Sequence, residues 1–243
     1  MKAMIFAAGL GTRLRPYTNN KPKALAEVKG KTLLQRNIEY LKGFGIKEFV
    51  INIHHFPDLI RTYLSENRNF DVDIQISDET DMLLETGGGL QKAAPLLSGN
   101  EPFLVMNVDI LTNLNIRKLI DFHTSGKALA TLAVTNRSTS RYFLFNENEE
   151  LCGWKNVNTG EEKIRKITPP LREMAFSGIH IIQPEIFFLM KQEGKFSIVD
   201  TYLDLCSNNI IRGFDHSQDV LIDVGKPEAI VEAEQFVVKI LGE

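Results

Sequence analysis

An α/β fold is expected from three features of the chain: short apolar runs of strand length, helically spaced segments between them, and a change of pattern after residue 135. The alternation implies βαβ crossovers, hence a mostly parallel mixed sheet with helices on both faces. Residues 2–7 form the first buried strand and run into a loop rich in Gly, Pro, Thr and Asn that lasts to Pro22. Leu34, Ile38 and Leu41 give 33–44 helical spacing, and Gly45 stops it. Strands follow at 48–53, 71–76, 103–107 and 128–134, with helices at 56–63, 86–97 and 114–122 between them. The helix at 86–97 opens on three glycines.

After Thr135 the pattern becomes hairpin-like. Runs at 142–145 and 151–154 flank a polar loop, and 164–167 adds a further strand. A buried strand returns at 176–182, and Pro184 opens a helix at its first turn. A helix at 198–206, a strand at 220–224 and a C-terminal helix at 226–241 complete the chain. Ala229, Ala233, Phe236, Val237 and Ile240 form the apolar face of that last helix. With no linker or repeat, residues 1–243 read as one domain with a small β insertion at about 136–172.

Composition narrows the function. A 243-residue chain buries ~70–75% of its extended surface and needs no disulfide framework to fold. Net charge is −3, which lacks the basic excess of a nucleic-acid-binding domain. Cys152 and Cys206 are expected to be reduced core residues. The apolar N-terminal run is too short for a signal-peptide core, and no run approaches the ~20 residues that span a bilayer. No nucleic-acid or membrane partner is expected, the location is expected to be cytoplasmic, and the state a monomer or small homo-oligomer.

The most informative string is Ala7-Ala8-Gly9-Leu10-Gly11-Thr12-Arg13-Leu14-Arg15-Pro16, continuing to Pro22-Lys23-Ala24-Leu25. It follows the first strand, where open α/β sheets bind ligands. Glycines at 9 and 11 let backbone N–H groups approach phosphate oxygens, Thr12 offers a hydroxyl, and Arg13 and Lys23 add charge. The string is neither the dinucleotide fingerprint nor Walker A. Asp109 and Asp223 each end a strand. Two carboxylates with substrate oxygens suit Mg²⁺, and each also fits a helix cap. His54-His55 does not chelate one ion readily and reads as a turn or pocket rim.

The glycine string, with Asn107-Val108-Asp109 and Asp223-Val224-Gly225, resembles the sugar-1-phosphate nucleotidyltransferases. It is similar in particular to the compact N-acetylmuramate-1-phosphate uridylyltransferases and to mannose- and heptose-1-phosphate guanylyltransferases. The resemblance implies a Rossmann-like nucleotidyltransferase domain. It implies transfer of a nucleoside monophosphate from a triphosphate to a sugar 1-phosphate, with release of pyrophosphate. It makes Arg13 and Lys23 catalytic, and Asp109 and Asp223 the Mg²⁺ ligands. It puts Ala8, Gly9, Gly11, Thr12, Thr86, Gly87 and Gly88 on the nucleotide, and Glu85, Asn107 and Gly178 on the sugar. Ala24, Val108, Leu221 and Lys226 depart from the usual pattern without removing a ligand. UTP is the expected triphosphate, with GTP the alternative. A non-catalytic nucleotide-sugar sensor would be expected to lack one of the four charged residues. A glycosyltransferase would carry a second carboxylate where Asn107 stands.

Overall fold

In the computed structural model, alternate residues of the strand Ala3–Phe6 enter two separate cores. Ala3 and Ile5 join one apolar cluster, Met4 and Phe6 the other, because strand side chains alternate between faces. The first cluster is closed by the helices Leu33–Gly43, Pro57–Glu66, Ile116–Ser125 and Glu228–Phe236. The second is closed by Glu85–Lys92, Ala94–Leu97, Ile186–Leu189 and Ile198–Leu205. The result is one α/β domain of three layers. Residues 1–241 are described. Positions 242 and 243 and the side chains of Ile240 and Leu241, part of the expected C-terminal helix, lie outside the described residues.

Ala3–Phe6 is central. It pairs in parallel with Glu48–Ile53 on one side and Phe103–Asn107 on the other, and Asp73–Asp78 extends the parallel set beyond Glu48–Ile53. Arg172–Ile182 then runs antiparallel to Phe103–Asn107, with Ile179 opposite Met106. This long strand serves two partners on its other side. Its later part pairs antiparallel with Ala130–Thr135, and Arg172, Glu173 and Met174 pair with Arg141–Phe145. The insertion is therefore continuous with the main sheet. Its hairpin, Arg141–Phe145 with Leu151–Asn156, ends on Glu161–Ile164.

Several elements sit where the pattern puts them. Glu48–Ile53 coincides with the expected strand. Leu33–Gly43 is capped by Thr32, whose hydroxyl accepts from the Gln35 N–H, and Gly45 follows with φ 88°. The expected helix at 86–97 is two pieces, Glu85–Lys92 and Ala94–Leu97, with Pro95 in the second. The expected strand at 164–167 lies earlier, at Glu161–Ile164. Four strands were not expected, among them the short pair Glu27–Val28 and Lys31–Thr32. Ile211–Asp215 pairs in parallel with Ala130–Thr135, and Ile110–Thr112 forms a short ribbon with Leu221–Asp223. That ribbon matters most for the site. Both expected free cysteines are buried. Among the described residues no helix is long and apolar enough to cross a membrane.

Candidate active site

The chain leaves Phe6 at the carboxyl edge of the parallel strands. Ala7 and Ala8 are still buried, whereas Gly9, Leu10, Thr12 and Arg13 are exposed. Two anchors hold this loop. Leu14 ends a short turn, Thr12–Leu14, with its side chain fully buried. Thr18 donates to the Gly11 carbonyl at 2.8 Å. Gly11 has φ 65°, and a Cβ there would meet Thr18 Cγ2 at 3.0 Å and Lys23 Cβ at 3.1 Å. Gly9 faces open space. The backbone of this glycine loop is thus fixed while its rim stays free.

The loop borders a cavity of about 450 Å³. Ala8, Gly9, Gly11, Thr12, Arg13 and Lys23 line one part of it. Glu85, Thr86, Asn107 and Asp109 line another part, so ten of the predicted residues share one space. Lys23 is nearly buried and forms an ion pair with Asp109. Arg13 has no hydrogen bond or ion pair to any described residue.

Asp109 and Asp223 come from distant parts of the chain. The ribbon aligns Asp223 opposite Ile110, and the Val224 N–H donates to the Asp109 carbonyl at 2.8 Å. The two aspartates meet through this ribbon and not as ends of neighbouring strands in the main sheet. The Asp223 side chain reaches solvent on one side and is crowded by protein on the other. Loss of water there, and then the like charge of Asp109, raise its carboxyl pKa, while Lys23, Arg13 and Arg137 oppose the rise. A pair of hard oxygen donors whose charges repel fits a divalent cation that takes one or two protein carboxylates and fills its remaining positions with water and phosphate. Among the described residues no group of three His, Cys, Asp or Glu is gathered, so a fuller protein cage is absent from them.

Four predicted residues do not line the cavity: Gly87, Gly88, Gly178 and Asp223. For the first three the missing Cβ has a different cause from the one expected. Gly87 and Gly88 are buried inside a helix, and both N–H groups donate to the Phe196 carbonyl. A Cβ on Gly87 would lie 2.4 Å from the Phe196 ring, and one on Gly88 would lie 2.0 Å from the Gly194 carbonyl oxygen. The close approach expected against a base is made by the protein's own segment at 194–196. Gly178 has φ 73° in a bulge of its strand, and a Cβ there would lie 2.6 Å from Asn107 Nδ2. It seats Asn107, which is the residue that faces the cavity.

Glu85 lines the cavity with a left-handed φ of 60°, a conformation that side-chain-bearing residues adopt at a cost. Its carboxylate lies 3.5 Å from Lys195 Nζ. Thr86 Oγ1 accepts from the Ile198 N–H at 3.0 Å.

Asn52, Leu83 and Gly225 also line the cavity and were missed in the sequence. Asn52 Oδ1 accepts from the Ala7 N–H at 2.7 Å, and its Nδ2 donates to Glu79 Oε1 at 2.7 Å. The other oxygen of buried Glu79 accepts from the Leu84 N–H at 3.2 Å. These bonds tie the start of the glycine loop to the segment before Glu85. A polar residue inside the apolar run Phe49-Val50-Ile51-Asn52-Ile53 was the available signal for Asn52. His54, read as a rim residue, is held by the Glu79 carbonyl at 2.6 Å.

A parallel sheet with a glycine loop at its carboxyl edge, Arg13 unpaired on the rim, Lys23 in the wall and two converging carboxylates fits the class of proteins that handle phosphorylated nucleotides with a divalent cation. The nucleotidyl transferase family matches residues 2–240. The chain is 32% identical over 239 residues to the N-acetylmuramate alpha-1-phosphate uridylyltransferase of Caulobacter vibrioides, covering 96% of this chain and 95% of that protein. It is 37% identical over 152 residues to the mannose-1-phosphate guanylyltransferase catalytic subunit beta of Dictyostelium discoideum, covering 62% of this chain and 42% of that one. In fold it is similar to a putative glucose-1-phosphate thymidylyltransferase from Bacillus anthracis, with TM-score 0.80, 20% identity and coverage of 99% and 96%. The chain belongs to the nucleotidyl transferase family, among its sugar-1-phosphate nucleotidyltransferases. That family binds a nucleoside triphosphate and a sugar phosphate and generally uses a divalent metal.

Proposed function

We propose that this chain transfers a uridylyl group from UTP to a sugar 1-phosphate of the N-acetylmuramate type, with guanylyl transfer to a mannose- or heptose-type sugar as the alternative. The carrying observation is the cavity wall itself. Lys23 is buried against Asp109 at one place on it, while Arg13 stands unpartnered on the glycine loop at another. The similarity to a uridylyltransferase over 96% of the chain supports UTP.

The sugar 1-phosphate oxygen is already an anion and needs no base to deprotonate it. It attacks the α-phosphorus, a new P–O bond forms, and the bond to the bridging oxygen breaks with its electron pair leaving on pyrophosphate. The difficulty is to align two polyanions, so positioning and charge neutralisation carry the rate. The backbone of Ala8, Gly9 and Gly11 and the Thr12 hydroxyl cradle the triphosphate. Arg13 neutralises the departing pyrophosphate, and Lys23 holds the attacking and α-phosphates together. Asp109 and Asp223 hold a divalent cation, which when bound supplies Lewis-acid charge at the phosphates. Thr86 borders the nucleoside, Gly87 and Gly88 seat the helix that carries it, and Glu85 and Asn107, the latter on Gly178, border the sugar. Mass analysis of the product from a UTP and GTP mixture with one sugar 1-phosphate tests this. A UDP-sugar is expected, and a GDP-sugar would move the chain to the alternative.

A further inference from the structure

Arg137 lies outside every role assigned so far. Ala130–Thr135 is antiparallel to Arg172–Ile182, which is antiparallel to Phe103–Asn107. Ala130–Thr135 therefore runs in the same direction as Phe103–Asn107, and both end at the edge of the sheet that carries the site. Arg137 stands two residues past the end of its strand, as Asp109 stands two residues past the end of the other. Its backbone neighbourhood is fixed, because the Asn136 N–H donates to Ser217 Oγ at 2.9 Å. The guanidinium is aimed as well. Nη2 donates to the Phe176 carbonyl at 3.0 Å, two residues before the glycine that packs on Asn107. That is one bond from a group with a fork of donors, and the side chain is exposed with no ion pair to any described residue.

An exposed, aimed and unpaired guanidinium matches the geometry of a phosphate. Lys23 and Arg13 flank the glycine loop, whereas Arg137 stands outside the cavity wall, bonded to Phe176 two residues before the glycine that packs on Asn107. We infer that Arg137 binds the phosphate of the sugar 1-phosphate, a role that rests on the transfer reaction proposed above. It would join Lys23 in selecting a phosphorylated sugar over a free one.

The test uses steady-state pyrophosphate release by the full chain and its R137A and R137K variants, with each substrate varied in turn. R137A should raise KM for the sugar 1-phosphate by about tenfold to a hundredfold, the range for losing a charged hydrogen-bonding partner, and leave KM for UTP within about twofold. R137K should recover part of the loss by restoring charge without the fork. A purely structural role would raise both KM values together or lower kcat alone, and either pattern overturns the assignment, as does an unchanged R137A. Should R137A melt at a lower temperature, the same split in R137K decides. If the unsubstituted chain releases no pyrophosphate, the transfer reading fails and this inference with it. If that chain turns over and the variants match it, only this inference fails.

Discussion

Lys23 has almost no contact with water and one anionic partner, Asp109. Its charge is therefore held in place before substrate arrives, which is what transition-state stabilisation requires. K23A should lower kcat by ~10²–10³, about 2–4 kcal/mol, while triphosphate binding persists. Stopped turnover with intact binding by calorimetry is the expected pair of results, and near-normal turnover would remove Lys23 from the mechanism. Asp223 carries the pH dependence. Its carboxyl is raised, so the folded chain favours the protonated form. Without a cation, this group's share of stability is present below the ordinary aspartate range and is lost as the pH rises through the raised value. A cation competes with that proton. The Mg²⁺ concentration needed to raise the melting temperature should therefore climb as the pH falls through the same window. D109N and D223N should each weaken that Mg²⁺ response and keep the fold, since each removes charge at nearly constant shape. A variant that keeps the full response would show its aspartate to be no ligand. At this scale the sequence exposed the charged residues, because few structural roles call for them in that order. It did not expose Glu79, whose importance lies in two hydrogen bonds, one from the distant Asn52 side chain and one from the nearby Leu84 N–H.

Glycine has two different uses in the elements around the site. Gly9 faces open space on the loop, so G9A should leave the melting temperature nearly unchanged and weaken triphosphate binding. Gly88 is pressed against the Gly194 carbonyl, so G88A forces the helix off its seat. The expected cost is ~1–3 kcal/mol, the usual range for overpacking, read by denaturant unfolding. Equal behaviour of the two variants would contradict this division of roles. The difference was not legible in the sequence, where both read as glycine next to a strand or helix. Local pattern was enough for Glu48–Ile53 and Leu33–Gly43, whose apolar spacing is complete within the segment. It was not enough for Ile211–Asp215, where Arg212, Gly213 and Asp215 interrupt the apolar residues and only pairing with Ala130–Thr135 makes a strand. Ile110–Thr112 exists for the same reason, through Leu221–Asp223.

For the whole molecule, the topology explains why one cavity collects residues from positions 6 to 225. The parallel strands deliver the glycine loop and Asp109 to one edge, and the ribbon delivers Gly225 to the cavity wall and Asp223 next to it. In the proposed reaction the same edge has to choose a base, and the lining backbone between Ala7 and Gly9 and between Leu83 and Thr86 is the proposed reader. A site that hydrogen-bonds one base edge leaves its own polar groups unpaired with another base. UTP should thus be preferred over GTP by ~10²-fold or more in kcat/KM. The most direct measurement is pyrophosphate release across the common nucleoside triphosphates and a panel of sugar 1-phosphates, with K23A run beside the unsubstituted chain. The predicted result is release that requires both substrates, is greatest with UTP and an N-acetylmuramate-type sugar, and is lost in K23A. No release with any pair, or release that survives in K23A, would contradict the account.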